Sequence, residues 1–90
     1  MLRIVPLPRK SGRSVLQVEG ELRDAWVPLL QEECDRISPA EAAPELALDV
    51  KDVTYVDVAG RTLLRSLRAR GVRLMNCPPL IEALLEDTTP

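Results

Sequence analysis

The sequence predicts a single α/β domain whose elements follow the order β-β-α-β-α-β-α. Three observations predict this class. Two alternating apolar segments flank a polar turn near the start, a strand rich in leucine and valine lies at the centre, and helices alternate with strands from there on. A helix between two strands of one sheet is a right-handed crossover that joins parallel strands. We therefore expect a four-stranded mixed sheet with its helices mainly on one face, formed by residues 1–90 as one domain.

The first two strands are predicted to form a hairpin at one edge of the sheet. Residues 2–8 alternate as a strand, and Pro6 and Pro8 make this end an edge or a strand exit, because proline cannot donate to a strand neighbour. Residues 10–13 supply the polar turn. Residues 15–19 alternate again with leucine and valine pointing inward, and Gly20 is expected to end this second strand.

The first helix is predicted to begin at about Pro28, since proline is tolerated in the first turn of a helix. Trp26 lies just upstream and is expected to act as a hydrophobic staple. Residues 38–39 are expected to end the helix. The apolar stripe that should face the core consists of Leu30, Cys34 and Ile37.

The third strand and the second helix meet in the most informative stretch of the chain. Residues 46–50 form the clearest buried strand, residues 51–52 are expected to turn the chain, and residues 53–56 continue toward the helix. Asp57 is a good N-cap, because its carboxylate can accept an amide hydrogen two or three residues further on. The inner face of the helix is expected to consist of Ala59, Leu63, Leu64 and Leu67.

The remaining elements are a short strand and a closing helix. The second helix is predicted to run to about Arg70, with Gly71 as its left-handed stop. Residues 72–75 then form the fourth strand, residues 76–79 open a third helix, and residues 87–90 are expected to be a frayed tail. The apolar side of the third helix is predicted to consist of Leu80, Ile81, Leu84 and Leu85.

Composition argues against several classes of function. The net charge of −2 does not favour nucleic acid as a partner, because phosphate binding needs a basic surface. The chain has no histidine, which excludes histidine-based triads and most zinc sites, and a single Trp, a single Tyr and no Phe argue against a cofactor pocket. Its two cysteines lack metal-binding spacing and are expected to be free thiols. No apolar run is long enough to cross a bilayer, so we expect no membrane insertion and a cytoplasmic location.

Several segments resemble the motifs of STAS domains, the family of anti-sigma-factor antagonists. Residues 18–22 resemble the family's x-G-E-L motif at the end of the second strand, and residues 48–57 resemble its LDLSGVTFVD segment. Residues 59–64 resemble the start of its SAGLxLL helix, and residues 71–74 and 79–85 resemble its fourth strand and closing helix. The resemblance covers nearly the whole chain and implies the STAS fold and a protein partner. The length is similar to that of the short STAS group, which includes a subunit of bacterial phospholipid-transport ABC systems.

The resemblance also implies where a phosphorylation switch would lie. In switched members, the residue before the helix glycine is a serine or threonine, which is phosphorylated by a kinase that is also the anti-sigma factor. Here that residue is Ala59, preceded by Val58, and neither has a hydroxyl group. Thr54 and Thr62 carry the nearest aliphatic hydroxyl groups and are alternative phosphosites, although a turn and a helix carbonyl are their simpler partners.

The residues around this junction form the predicted partner-binding surface. Asp57 is either an N-cap alone or also a helper in phosphate transfer, and Gly60 either admits a partner's backbone or is a tolerated glycine. Three arginines at positions i, i+4 and i+7 of the second helix form either a solvated face or a stripe that steers an acidic partner. The predicted surface consists of Asp57, Gly60, Thr54 and the arginine stripe of Arg61, Arg65 and Arg68.

The sequence therefore predicts a non-catalytic interaction module that resembles anti-sigma-factor antagonists and lacks their phosphoacceptor. No enzyme activity, cofactor or metal is expected. The partner would be an anti-sigma kinase-like protein or a larger signalling complex, and a homodimer is left open. The alternative is a small STAS subunit of an ABC-type phospholipid transport assembly, in which the module would sit on an ATPase subunit.

Overall fold

A computed structural model describes residues 1–10, 13–37 and 46–86, and the elements in these ranges confirm the predicted order. Three predicted features lie outside the described residues: the centre of the first turn at 11–12, the end of the first helix at 38–39 and the tail at 87–90. The elements are β1 (Leu2–Lys10), β2 (Arg13–Leu22), α1 (Trp26–Ile37), β3 (Leu46–Val56), α2 (Val58–Ala69), β4 (Arg73–Met75) and α3 (Pro79–Glu86).

The four strands form one mixed sheet in the order β1-β2-β3-β4. β1 is antiparallel to β2, whereas β3 is parallel to both β2 and β4. The position of β1 at the edge agrees with the prediction from Pro6. β4 is short and pairs with only three residues of β3, Ala47 to Asp49. The α/β class and the mixed sheet are confirmed, and the placement of the helices mainly on one face stays a prediction.

The predicted turn at 51–52 is wrong, because β3 runs through these residues as one continuous strand. The chain accommodates the polar pair with bulges instead. β3 carries one extra residue relative to β2 between Asp49 and Asp52, and another between Val53 and Tyr55. A bulge of this kind shifts the following side chains to the other face of the sheet. The last buried positions of β3 are consequently three residues apart, at Val50, Val53 and Val56.

Gly20 does not end β2, since the strand continues to Leu22. Its role is a close approach between the two edge strands. Gly20 has a φ of +101°, and a Cβ atom there would run into the carbonyl oxygen of Met1. The backbone N–H of Glu21 donates to that same oxygen at 3.0 Å. Glycine therefore lets the first residue of the chain lie directly against β2.

The first helix begins at Trp26, two residues before the predicted start at Pro28. Backbone hydrogen bonds from Trp26 to the carbonyl of Arg23 and from Val27 to the carbonyl of Asp24 form its first turn. Trp26 is therefore part of the helix and half-buried against the core rather than upstream of it. Leu30 and Cys34 are buried as predicted, and the side chain of Ile37 lies outside the described ones.

The core is aliphatic and is built mainly from the central strands and α2. The pKa of the Cys34 thiol is raised to about 12, chiefly by burial and next by the charge of Asp35. Cys34 and Cys77 are both free, as predicted. The largest fully buried side chains are Leu16, Leu22, Leu30, Leu46, Leu48, Leu64, Leu67, Val18, Val50 and Cys34.

The closing helix is less deeply packed than its sequence suggested. α3 buries Ile81 and Leu85, whereas Leu80, predicted to lie on its apolar side, is 74% exposed. None of the helices within the described ranges has the length and apolarity needed to span a membrane. The same part of the chain contains no group of three or more His, Cys, Asp or Glu residues that could hold a metal ion.

Gly20→Ala is expected to destabilise the fold more than Gly71→Ala. Both glycines have positive φ values, of +101° and +97°, so alanine should cost a similar strain of roughly 1–2 kcal/mol at either position. Only at Gly20 does the new Cβ also meet backbone, which should add about 1–3 kcal/mol. A Cβ at Gly71 meets no described atom within 4 Å. Urea unfolding of both variants measures the difference, and equal losses would show that the Met1 contact is not tight.

Candidate docking site at the start of the second helix

The candidate site lies where the parallel strands β2 and β3 end. Leu22, the last residue of β2, pairs with Val56, the last residue of β3. The backbone N–H of Asp57 then donates to the carbonyl of Leu22 at 3.1 Å. α1 follows β2 and α2 follows β3, so both helices begin at this edge. In open α/β sheets, ligands bind outside the carboxyl ends of the parallel strands.

One carboxylate joins the starts of the two helices. Oδ1 of Asp57 accepts the backbone N–H of Gly60 at 2.7 Å, which confirms the predicted N-cap of α2. Oδ2 accepts the backbone N–H of Asp24, in the loop before α1, at 3.0 Å. Asp24 has a φ of +50°, a conformation that a residue with a Cβ adopts only at a cost, and this hydrogen bond helps to hold it. The bond to Asp24 was not predicted, because a backbone N–H leaves no signal in a sequence.

These hydrogen bonds lower the pKa of the Asp57 carboxyl below its ordinary value of 3.8. The N–H of Asp24 is the largest cause and the N–H of Gly60 the second, while partial desolvation opposes them and Arg23 adds a weaker attraction. The carboxylate is therefore ionised at neutral pH, and the backbone of this chain engages both of its oxygens. Its predicted second role, as a helper in phosphate transfer, stays a prediction.

Gly60 is buried and fills the inner position that was predicted for Ala59. A Cβ at Gly60 would lie 2.6 Å from the carbonyl oxygen of Leu22 and 3.0 Å from side-chain carbons of Leu22 and Val56. The close approach that this glycine permits is therefore to the chain's own backbone. Any approach of a partner's backbone to Gly60 stays a prediction.

The side chains that point outward at this junction are apolar. Val58 is 67% exposed and Tyr55 is 50% exposed. Ala59 is exposed as well, so its predicted place on the inner face of α2 is wrong. The inner face instead follows helical spacing from the glycine, with Gly60, Leu63, Leu64 and Leu67 buried. We name Tyr55, Val58 and Ala59 the docking patch.

Two threonines near the docking patch use their hydroxyl groups within the chain. Thr62 donates from Oγ1 to the carbonyl of Val58 at 3.0 Å, the helix carbonyl bond that the sequence suggested. Thr54 donates from Oγ1 to the carbonyl of Gly20 in the neighbouring strand at 3.2 Å, and not within a turn. Both residues are exposed. Whether either is a phosphosite stays a prediction.

The three arginines of the predicted stripe differ in the contacts that their side chains form. Arg65 donates from Nε to the carbonyl of Leu85 and from Nη2 to the carbonyl of Leu84, both at 3.0 Å. Arg68 forms an ion pair with Glu82 of α3 at 2.9 Å.

Arg61 is the arginine nearest to the docking patch in the sequence. Within the described ranges, its side chain forms no hydrogen bond or ion pair. Two of the three arginines thus contact α3, and their role in binding a partner stays a prediction, as does that of Arg61.

Solved structures show the same fold. Over 96% of its length the chain is similar to the anti-sigma-factor antagonist SpoIIAA in its unphosphorylated form, with a TM-score of 0.64, 18% identity and 82% of that chain covered. Over 99% of its length it is similar to an antisigma-factor antagonist, a STAS domain from Rhodobacter sphaeroides, with a TM-score of 0.57, 17% identity and 96% of that chain covered. It also matches the crystal structure of Mglu over 80% of its length, with a TM-score of 0.59 and 23% identity, but spans only 19% of that chain.

No family model matches the sequence, and no curated protein matches it either. At these identities, the likeness to solved structures shows the fold alone. The chain therefore has a STAS-like fold, as the resemblance of its motifs implied.

Gly60→Ala is expected to destabilise the protein, although alanine favours a helix. The added Cβ meets the carbonyl oxygen of Leu22, and overpacking of this kind costs about 1–3 kcal/mol, against a gain in helix propensity of at most about 1 kcal/mol. Ser66→Ala, at an exposed position of the same helix, is the matched control and should cause no loss. Urea unfolding measures both variants. A Gly60→Ala protein as stable as the control would contradict the close approach.

Asp57→Asn is expected to destabilise the protein at neutral pH, because an asparagine has one acceptor oxygen for two backbone N–H groups. The pKa of Asp57 is lowered in the folded state, so its contribution is complete above the unfolded value of 3.8 and is lost as pH falls through the folded value. The stability difference between wild type and variant should therefore shrink below pH 3.8.

Urea unfolding at a series of pH values measures this difference. Asp52→Asn is the control, since Asp52 is exposed on β3 and its side chain forms no hydrogen bond within the described ranges. An Asp57→Asn difference that stays constant into strong acid would show that the ionised carboxylate does not hold the junction.

Proposed function

We propose that the chain is a non-catalytic protein-interaction module that binds its partner through the docking patch. The observation that carries this proposal is the exposure of two large apolar side chains, Tyr55 and Val58, on a junction held by backbone hydrogen bonds. Tyr55 and Val58 are three positions apart in the chain and flank the N-cap of α2. Aromatic residues are enriched at protein interfaces. Because Asp57 and Gly60 fix the backbone beneath the patch, binding should cost little backbone conformational entropy.

The proposed module works without a phosphate switch at the start of α2. Neither Val58 nor Ala59 has a hydroxyl group that could accept a phosphoryl group. A phosphate there would add nearly two negative charges beside Asp57 and expel an apolar partner surface. With alanine and valine, the patch stays uncharged, which supports a constitutive binder or a scaffold in a partner-switching pathway.

The partner that best fits this surface presents an apolar centre with an acidic residue at its border. Arg61 follows the docking patch in α2 and is the arginine of the predicted stripe whose side chain forms neither a hydrogen bond nor an ion pair within the described ranges. Arg61 is half-buried. Since charges at the rim of an interface guide association, an acidic partner residue would meet it. The solved structures of similar fold include anti-sigma-factor antagonists, which favours an anti-sigma-factor-like protein as this partner.

Val58→Lys is expected to weaken partner binding by about tenfold or more, because it places a charge in the apolar centre of the interface. Leu80→Lys is the matched control, since Leu80 is 74% exposed and lies on α3. A photo-crosslinking residue at position 58 first identifies the partner in cells of the source organism. Titration calorimetry then compares wild type with both variants.

Loss of affinity in Val58→Lys alone would support the docking patch. Equal effects of Val58→Lys and Leu80→Lys, or none from Val58→Lys, would place the interface elsewhere. If the crosslinked partner is an ATPase subunit of a transport assembly, the patch is supported while the partner-switching role is replaced by the transport role.

Ala59→Ser is expected to create a phosphorylation site that the wild-type chain lacks. Ala59 is exposed in the first turn of α2, so a hydroxyl group there is accessible to a kinase. Incubation with radiolabelled ATP and an anti-sigma-factor kinase of the source organism, followed by mass spectrometry, should show label in the variant only. Label on Thr54 or Thr62 of the wild-type chain would overturn the claim that the module is not switched by phosphate.

A further inference from the structure

The closing helix α3 is attached to α2 by two arginine side chains. The last carbonyls of a helix have no partner inside it, and those of Leu84 and Leu85 are capped by the guanidinium group of Arg65. Arg68, one turn further along α2, holds Glu82 through both carboxylate oxygens, at 2.9 and 3.1 Å. α2 therefore supplies a cap and an ion pair to the same short helix.

Within the described ranges, few other contacts hold α3 against the rest of the domain. It has eight residues, far fewer than a helix needs to be stable by itself. It buries only Ile81 and Leu85, and its last turn contains no basic residue to offset the negative end of the helix dipole. Arg65 provides that positive charge from the neighbouring helix. Within the described ranges, the docking of α3 thus depends on the buried Ile81 and Leu85, on the half-buried Leu84 and on two guanidinium groups.

We propose that α3 is a reversible latch, which opens as a unit while the sheet and α2 remain folded. The hydrogen bonds from Arg65 stabilise the closed position of α3 most, because hydrogen bonds from a charged donor are stronger than neutral ones. The Arg68–Glu82 pair is secondary, since both side chains are more than a third exposed and solvent screens them. This inference goes beyond the proposed function and stands whether or not the docking patch binds a partner.

The state of the latch changes the contacts of two of the three arginines of the predicted stripe. While α3 is closed, it engages Arg65 and Arg68. Opening frees both guanidinium groups from α3 and uncovers the apolar surface against which Ile81 and Leu85 pack. An acidic segment of a partner would then compete with α3 for the same two arginines. Closure of α3 and binding of such a segment therefore oppose each other.

Hydrogen–deuterium exchange of the full chain, measured by mass spectrometry, tests the latch. In Arg65→Gln, protection of amides in residues 81–86 should fall about tenfold or more, because a charged hydrogen bond is lost. Protection in β2 and β3 should not change. Arg61→Gln is the matched control on the same helix, since Arg61 forms no side-chain bond within the described ranges, and it should leave α3 as protected as in the wild type.

A second measurement keeps the test decisive if Arg65→Gln does not fold. Raising NaCl from about 0.05 M to about 1 M screens the Arg68–Glu82 pair and should speed exchange in residues 81–86 of the wild type but not in the strands. Glu82→Gln should remove this salt dependence. The latch would be overturned if Arg65→Gln and Arg61→Gln behaved alike, if α3 were unprotected in the wild type, or if it exchanged only together with the strands at every salt concentration.

Discussion

The carboxylate of Asp57 is the interaction on which this edge of the molecule depends. By accepting hydrogen bonds from Gly60 and Asp24, it fixes the first turn of α2 and the loop that leads into α1 against each other. Gly60 completes the junction, since its missing Cβ lets α2 approach the carbonyl of Leu22. The start of a helix ordinarily offers its N–H groups to an anion from outside. Here the chain supplies that anion itself.

This arrangement separates polar chemistry from the exposed surface. The carboxylate of Asp57 accepts hydrogen bonds from backbone N–H groups, whereas the outward-facing side chains are those of Tyr55, Val58 and Ala59. Apart from the hydroxyl group of Tyr55, this surface is apolar and is suited to contact with an apolar partner surface. α3 differs from this rigid junction, because its attachment relies on Arg65 and Arg68 from a neighbouring helix. The same domain thus combines a preformed patch with a short helix of low local stability.

Most of the fold could be predicted from the spacing of the apolar residues and from the proline, glycine and aspartate residues that mark turns and helix ends. The order of elements, the edge position of β1 and the cap at Asp57 were correct. Two of the errors have a common cause, which is that they depend on contacts between distant segments. The bulges of β3 replaced the turn at 51–52 because β2 supplies a partner along the whole strand. Neither interpretation of the arginine stripe, as a solvated face or as a surface for an acidic partner, included the bonds of Arg65 to α3, because its acceptors lie about twenty residues away. The exposure of Tyr55 could have been predicted, since neighbouring side chains on a strand point to opposite faces and Val56 is buried.

The claim that one carboxylate organises both helix starts is tested most directly by NMR. The amide protons of Asp24 and Gly60 are followed as the pH is lowered. If both donate to Asp57, their chemical shifts should change together, with one midpoint below the ordinary carboxyl value of 3.8. Two different midpoints, or a change at Gly60 alone, would contradict the account and reduce Asp57 to a simple N-cap.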